Sequence, residues 1–317
     1  MSLFALIAAL LLEQLQPLSS RKRLYGWLFG YTSFFQHNFN TGEHRHGKFA
    51  WLLAALPLLS GVMALSWLLY YLHPVFAWAF NVLVLYLTMG FRQFSHYFTD
   101  IHRALRDGEL DEARRLLSAW RGTPAHELNA EEVARLAIEE ALLASQRNVF
   151  GVIVWFVLFS VLGLGGASGA VLYRLGQFLR KRWVDESKPK PEDFGSDKFG
   201  KFAQQASYAL EWLPIRMAAA TFAIVGNFED AVYCWRTQAS GWPDSETGIL
   251  LASGAGALGV RLGMTIPQDG LPLDRPELGI GDDADTDLMQ STIGLVWRSV
   301  VFWLSLLLLL TLASLLG

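Results

Sequence analysis

The chain has 317 residues, of which 52% are hydrophobic and only 17% are charged. Soluble domains are about a quarter charged, so this composition indicates a membrane protein. The formal net charge of −3 gives no basic field of the kind that attracts nucleic acid, and the single cysteine, Cys234, excludes an internal disulfide or a cysteine-based zinc site.

Apolar stretches long enough to cross a bilayer dominate the chain, since a spanning helix needs about 20 apolar residues. Four stretches approach or exceed that length, at residues 49–72, 75–91, 149–172 and 295–316. Residues 1–15 are short but lack a basic start and a cleavage site, so they predict a retained membrane helix and not a signal peptide. Residues 208–225 are a sixth candidate, which carries Glu211, Pro214 and Arg216. We therefore predict an all-α, polytopic integral membrane protein with about four to six membrane-embedded helices and a helical cytoplasmic portion.

The segment at 149–172 leaves two topologies open. Basic residues mark cytoplasmic loops, and they flank the hairpin at 49–91 on both sides. Eight more basic residues follow 149–172 directly, so they would lie outside if that segment crosses the membrane once. Alternatively, the chain turns at the glycines between Gly163 and Gly169 and returns as a re-entrant hairpin, which needs protein around it.

The polar segments give structural signals. Residues 99–144 have the pattern of soluble helices, and Asn129 with Glu132 predicts a capping box. The stretch from 188 to 201 is predicted to be a charged loop.

We treat the chain as one domain, divided into N-terminal membrane helices (1–91), a cytoplasmic helical segment (92–148), membrane or re-entrant segments (149–226), an acidic segment (227–294) and a C-terminal membrane helix (295–317).

Two clusters could ligate a metal, but neither has the required spacing. Asp282, Asp283, Asp285 and Asp287 lack the following glycine and distal glutamate of a calcium loop, and they suit a helix N-terminus. The pair His44-x-His46 has no further ligand at suitable spacing apart from Glu43. We predict no metal site from the chain's own pattern.

The stretch "GAGALGVRLG" contains the spacing G-x-G-x-x-G at Gly254, Gly256 and Gly259. A dinucleotide-binding turn needs a strand before it and a long helix after it. Pro267 stops any helix eight residues past Gly259, and no alternating strand–helix pattern occurs elsewhere. The run "GILLASGAGALGVRLG" is therefore interpreted as a helix of small residues that allows close backbone packing.

The same stretch resembles the G-A-L-G-V-R-L-G motif of the CobD/CbiB family of cobalamin-biosynthesis membrane proteins. Further resemblances follow in the same order along nearly the whole chain. They are "FNTGEHRHGKFAWLLAALPLL", "MGFRQFSHYFTDIHRALRDGELDEARRLLS", "GGASGAVLYR", "EWLPIRMAA" and "ELGIGDDADTDLMQSTIGLVWR". The first residues and "LEWLPIRMAAATFAIVG" look closer to AmpE-like proteins, a branch implicated in β-lactamase regulation.

The resemblance implies ATP-dependent coupling of a cobyric acid carboxylate to an aminopropanol-type amine, with acids that hold magnesium. Several polar positions of the family are replaced in this chain. This chain has A-I-E at residues 137–139. The family has E-N-x-x-D-G after that motif, whereas this chain has Arg147 in place of the Asp. Ser207 and Tyr208 replace two further Asp, and Gly176 and Leu179 replace the Asn and Asp that follow Y-R. The family's motif H-P-S-P-N-A-G is replaced by W-P-D-S-E-T-G at residues 242–248.

From these losses we predict a catalytically degenerate, AmpE-like binding or signalling protein of the inner membrane. It would have no catalytic residue and no cofactor, and its partners would be the bilayer and an unknown small ligand or membrane protein. The retained Arg174, Arg216 and Arg261, with Tyr173 and Trp212, are the candidate ligand-binding residues. The alternative is an active amide ligase that uses ATP and magnesium, with substituted ligands. Those ligands would be Asp244, Glu246 and Asp282.

Overall fold

The computed structural model describes residues 2–15, 21–40, 44–185, 199–268 and 270–316. The described part is almost entirely helical, which confirms the all-α prediction. Its α-helices are α1 (Ser2–Leu15), α2 (Arg21–Phe39), α3 (His44–Leu72), α4 (Pro74–Thr88), α5 (Phe91–Arg106), α6 (Leu110–Arg121), α7 (Ala130–Ser145), α8 (Gly151–Val161), α9 (Gly166–Arg180), α10 (Gly200–Val225), α11 (Phe228–Thr237), α12 (Ser245–Leu258) and α13 (Thr286–Leu316). Most of the predicted charged loop at 188–201 lies outside the described residues.

Four helices of the described chain are long and apolar enough to cross a membrane. They are Arg45–Leu72, Ala130–Val161, Gly200–Val225 and Thr286–Ala313. Two shorter apolar helices, Leu3–Leu15 and Pro74–Thr88, accompany them. Many large apolar side chains on these helices are exposed, as lipid contact requires. The protein is therefore a multi-pass membrane protein, within the predicted range of four to six membrane-embedded helices.

The second candidate span is a helix that begins well before the apolar stretch seen in the sequence. A π-helical turn at Gln146–Phe150 joins α7 to α8, so one continuous helix runs from residue 130 to residue 161. Nearly all of α7 is buried, including Arg135 and Glu139. These two charges broke the apolar pattern in the sequence. In the fold Glu139 pairs with the largely buried Arg275, whereas Arg135 donates to the Met264 sulfur and lies 3.5 Å from the half-exposed Glu131.

The described chain forms two compact units, and unit 1 comprises Met1–Gly90 and Gly151–Leu213. Its α8 and α9 are an antiparallel pair joined by a tight turn in which Gly163 and Gly165 have φ of 71° and 81°. A Cβ on Gly169 would overlap the Trp155 carbonyl, so the pair packs closely only because this residue is glycine. The chain therefore turns at these glycines, as one of the two alternatives requires, and α9 ends beside the start of α8.

Unit 2 comprises Phe91–Phe150 and Pro214–Gly317. In α7, Asn129 and Glu132 form the predicted capping box. At α13, the Asp285 carboxylate accepts a hydrogen bond from the Leu288 amide, so the acidic run does serve a helix N-terminus. The acidic segment also contains the helices α11 and α12, a 3-10 turn at Ala239–Gly241 and four short strands.

The strands form two antiparallel pairs in unit 2. Strands β1 (Leu262–Gly263) and β4 (Glu277–Leu278) pair, as do β2 (Ile266–Gln268) and β3 (Leu271–Leu273). Helix α12 ends at Leu258 because Gly259 adopts a left-handed φ of 68°. The interpretation of "GILLASGAGALGVRLG" as one helix is therefore wrong beyond Leu258, where the chain turns into β1.

Candidate functional site

Arg174 and Tyr173 lie on α9 in unit 1, where their polar atoms are held by other protein groups. The Arg174 Nε donates to the carbonyl of Thr88, the last residue of α4, and one terminal nitrogen donates to Gln177 Oε1 at 3.1 Å. The Tyr173 hydroxyl accepts from Gln177 at 2.8 Å, and its buried ring fills the space beside Gly151. Their ligand-binding role remains a prediction.

Trp212 lies on α10 in unit 1 and is 53% exposed. Its neighbour Glu211 is buried and pairs with Arg180 at 3.3 Å. The proline at 214 has no N–H, so the carbonyl of Leu210 lacks its usual helical donor. The indole nitrogen of Trp155 donates to that carbonyl at 2.8 Å. The W-L-P motif thus has a structural explanation, and the side chain of Trp212 is half-exposed.

Arg216 and Arg261 both belong to unit 2, but they lie near opposite ends of α12. Arg216 pairs at 2.6 Å with Glu246, in the first turn of that helix. Arg261 follows its C-terminus and pairs at 2.6 Å with Asp283 and at 3.9 Å with Glu277. About 20 Å separates the two ends of a 14-residue helix. The structure therefore does not bring these two arginines together around one ligand.

The centre of polar contacts in unit 2 is the ion pair between Glu139 on α7 and Arg275. Two nitrogens of Arg275 donate to the two carboxylate oxygens, at 2.7 and 3.1 Å. Glu139 also accepts from the Gly263 amide at 2.9 Å, while Arg275 donates to the carbonyls of Gly263 and Met264. Only 7% of the Glu139 side chain and 12% of the Arg275 side chain are exposed. The pair therefore fastens the loop after α12 to α7.

Two glycine-containing loops meet beside this pair. The Arg261 amide donates to the Asp282 carbonyl, and the Asp282 amide donates to Gly259. A Cβ on Gly263 would overlap the Pro276 carbonyl, and one on Gly281 would overlap the Gly259 backbone. These positions need glycine because two backbones approach there. Three stretches that are far apart in the sequence converge here: A-I-E at 137–139, G-V-R-L-G at 259–263 and a G-x-G at 279–281.

Trp242 and the start of α12 complete this part of unit 2. The guanidinium of Arg275 lies 5.6 Å from the centre of the Trp242 ring, a cation–π contact. Asp244 caps α12 by accepting from the Thr247 amide and hydroxyl. Of the three substituted ligands of the ligase alternative, Asp244 is thus a helix cap and Glu246 is bound to Arg216, whereas Asp282 is exposed.

Further charges of unit 2 surround the Glu139–Arg275 pair. Burial lowers the pKa of Arg121, and Arg275 lowers it further, while Glu139 and Glu140 oppose this effect. Arg147, on the π-helical turn, lies within electrostatic reach of Glu140. Arg147, which replaces the family's Asp, is therefore not an isolated charge, because Glu140 lies two turns earlier on the same helix.

Sequence reasoning missed Glu139, Arg275 and Trp242 as site residues. The signal for Glu139 was the adjacent pair Glu139–Glu140 in an otherwise apolar helix, which is unusual unless the carboxylates have partners. Nothing in the sequence indicated that Arg275 is its partner, since 136 residues separate them.

Comparisons with known proteins agree with the resemblance found in the sequence. A family model described as CobD/Cbib protein matches residues 3–296. The "Cobalamin biosynthesis protein CobD" of Stutzerimonas stutzeri is 36% identical over 84% of this chain and 82% of its own length. The protein of the same name in Chromobacterium violaceum is 32% identical over 81% and 73%, and the "Cobalamin biosynthesis protein CbiB" of Salmonella typhimurium is 29% identical over 78% and 75%. No solved structure matches.

These relatives contradict the prediction of an AmpE-like regulatory protein without catalysis. Proteins named for cobalamin biosynthesis are similar to this chain over most of its length. That prediction rested on a position-by-position count of lost acids, and the names of the relatives overturn it. In unit 2, Glu139, Glu246 and Asp283 each lie against an arginine.

Proposed function

The chain belongs to the CobD/CbiB family, and we propose that it is an active amide ligase of cobalamin biosynthesis, of the adenosylcobinamide-phosphate synthase type. It would join the carboxylate of cobyric acid to an aminopropanol-type amine with ATP as the activating nucleotide. The observation that supports this best is the convergence of the A-I-E, G-V-R-L-G and G-x-G stretches around the Glu139–Arg275 pair.

Arg261 is the residue of this region that we expect to bind an anionic group. Its side chain is 36% exposed, its terminal nitrogens pair with Asp283 and Glu277, and its buried Nε has no hydrogen-bond partner. A guanidinium can bind phosphate or carboxylate oxygens in two parallel hydrogen bonds. Since Glu139 and Arg275 hold Gly263, two residues further on, they act as positioning residues that fix the loop carrying Arg261.

Magnesium fits this region only as an ion that arrives with the nucleotide. Among the described residues, no three His, Cys, Asp or Glu side chains are grouped closely enough to form a protein-held site. Nucleotide-bound magnesium needs only one or two carboxylates, because phosphates and water provide the other ligands. Asp283 and Glu277, beside Arg261, would hold it. When bound, the magnesium–nucleotide complex would activate the carboxylic acid toward the amine.

The chain's own residues would bind and orient the reactants. The exposed guanidinium of Arg261 would hold the oxyanion that carries the growing negative charge, which lowers the barrier when the donor is already in place. The Glu139–Arg275 pair would keep that donor from shifting by holding both the amide and the carbonyl of Gly263. The exposed Asp282 would be available to bind the ammonium form of the amine.

A reconstituted assay tests this proposal. The full chain in lipid nanodiscs receives cobyric acid, aminopropanol or its phosphate, ATP and magnesium, and mass spectrometry detects the amide. We expect product with the wild type, a loss of at least 100-fold with Arg261→Ala, which removes one charge-stabilising group, and full activity with Arg115→Ala. Arg115 is an exposed arginine on α6. A folded wild type that forms no amide would refute the ligase proposal.

We further propose that the protein resides in the inner membrane, where cytoplasmic ATP can reach unit 2. Partners beyond the bilayer are expected to be small molecules and not nucleic acid. Separation of bacterial membranes on a sucrose gradient checks the location. Recovery of the protein with outer-membrane markers would contradict it.

A further inference from the structure

Arg298 lies at the point where α13 becomes apolar enough to cross a membrane. Residues 299–316 contain no charged side chain, and as a helix they are about 27 Å long, close to the thickness of the hydrocarbon core, about 30 Å. The turns before Arg298 are more polar and include Asp287 and Gln290. Arg298 is therefore at the boundary between the hydrocarbon and the headgroup region of the bilayer.

The side chain of Arg298 faces away from the protein. On the inner side of α13, the buried Trp303 donates from its indole nitrogen to the Thr221 hydroxyl at 2.9 Å, which fixes the rotation of the helix. Arg298 itself is exposed, as is Val301 one turn further on. A Cβ added to Gly294, one turn earlier, would meet no atom within 4 Å. This face of α13 therefore meets the bilayer.

The guanidinium of Arg298 has hydrogen-bond donors without acceptors. Its Nε donates to the Gly294 carbonyl at 3.2 Å, one turn back toward the polar end of the helix. That bond turns the charged group out of the hydrocarbon, as a long basic side chain does at a bilayer edge. The terminal nitrogens have no hydrogen bond or ion pair with any described residue. The acidic residue of α13, Asp287, is about 16 Å away along the helix axis.

Charge decides which molecule meets this face. A second copy of the chain, packed here about a two-fold axis, would place Arg298 beside its own equivalent, and the two like charges would repel each other. The phosphodiester of a phospholipid lies at the same depth, and a guanidinium can bind its two anionic oxygens in parallel hydrogen bonds. The neighbouring Trp297 is 42% exposed, and indole rings favour this depth of the bilayer.

We propose that Arg298 binds the phosphate group of a membrane phospholipid and thereby fixes the depth of α13 in the bilayer. Sliding the helix inward would bring the guanidinium into hydrocarbon, which is costly. Sliding it outward would bring exposed leucines, such as Leu308 and Leu312, toward water. Asp283, which pairs with Arg261, lies three residues before α13. The depth of this helix therefore also sets the height of that loop above the membrane.

The first experiment asks whether the guanidinium contacts lipid phosphorus. Full-length protein, isotope-labelled at the arginine Cζ, is reconstituted in phosphatidylglycerol bilayers, and solid-state NMR measures the dephasing of the arginine signal by phosphorus. We expect Arg298→Gln to lose one arginine's share of the dephased signal. Arg115→Gln, in an exposed arginine of α6, should lose none. An equal dephased signal in wild type and Arg298→Gln would overturn the proposal.

The second experiment measures depth. A nitroxide is attached to the Val301→Cys variant in a brief reaction that spares the buried Cys234, and its collision rates with oxygen and with a water-soluble nickel complex report its depth. Adding Arg298→Leu should move the label toward the bilayer centre by at least about 3 Å, the rise of two residues. Adding Arg298→Lys should preserve the depth, because an ammonium also binds phosphate.

Two results of the second experiment would overturn the proposal. One is an unchanged depth in the Arg298→Leu protein. The other is strong spin–spin broadening between labels, which would show that a second copy covers this face. Neither measurement involves amide formation, so this proposal and the ligase proposal fail independently.

Discussion

Replacing Glu139 by Gln tests whether one ion pair fastens the motif loop to α7. Gln keeps the size of the side chain and one acceptor, but it leaves the charge of Arg275 without a counter-ion. Both side chains are almost fully buried, so solvent screens the pair little. Breaking a buried pair of this kind costs about 3 kcal/mol, which for a folded body of this size lowers Tm by about 6–12 °C.

The assay is thermal unfolding in nanodiscs, followed by tryptophan fluorescence, for Glu139→Gln, Arg275→Gln and the double variant. Because both single changes break the same pair, the double variant should lose less stability than the sum of the two, by at least about 1 kcal/mol. Arg115→Gln, in an exposed pair with Glu112, serves as the control and should leave Tm unchanged. A Glu139→Gln protein within 2 °C of the wild-type Tm, or additive effects in the double variant, would refute the reasoning.

Three further outcomes follow from the described contacts. Trp155→Phe should destabilise the protein by about 1–3 kcal/mol because the buried carbonyl of Leu210 loses its donor. Adding Pro214→Ala should reduce that loss, because it restores a backbone N–H for this carbonyl. An unchanged Tm in Trp155→Phe would contradict this. Gly169→Leu should prevent the close packing of its helix pair and lower the yield of folded protein, whereas Gly61→Ala, in open space, should fold normally. Burial raises the pKa of the Cys234 thiol to about 11. Because only the thiolate reacts, a maleimide at pH 8 should label Cys234 about 200-fold more slowly than a free cysteine. Rapid labelling of the folded protein would show that this thiol is not buried.

The sequence predicted those features that depend on local pattern. The apolar runs at 49–72 and 295–316 coincide with two candidate spans, whereas the run at 149–172 is divided between α8 and α9. Asn129 with Glu132 was enough to place the start of α7. The glycines from Gly163 to Gly169 predicted a turn because few other residues adopt positive φ at low cost. None of these inferences needed knowledge of a distant residue.

The sequence failed where a residue's meaning depends on a partner far along the chain. Arg135 and Glu139 looked like the polar face of an amphipathic helix, whereas tertiary contacts bury both side chains. The retained arginines were grouped as one pocket, yet α12 holds Arg216 and Arg261 apart. The lost acids were interpreted as lost catalysis, and the relatives named for cobalamin biosynthesis contradict that interpretation.

Each compact unit is built from two separate stretches of chain, and the stretches interleave. Unit 1 cannot be completed until the ribosome has passed residue 213, although its first 90 residues emerge early. While the first part of unit 2 is being synthesised, the N-terminal helices are already in the bilayer, but the surfaces that will contact residues 151–213 are still uncovered. Nascent chains truncated between residues 90 and 150 are expected to be degraded quickly. Dividing the gene at one position should not yield two fragments that each contain a whole unit.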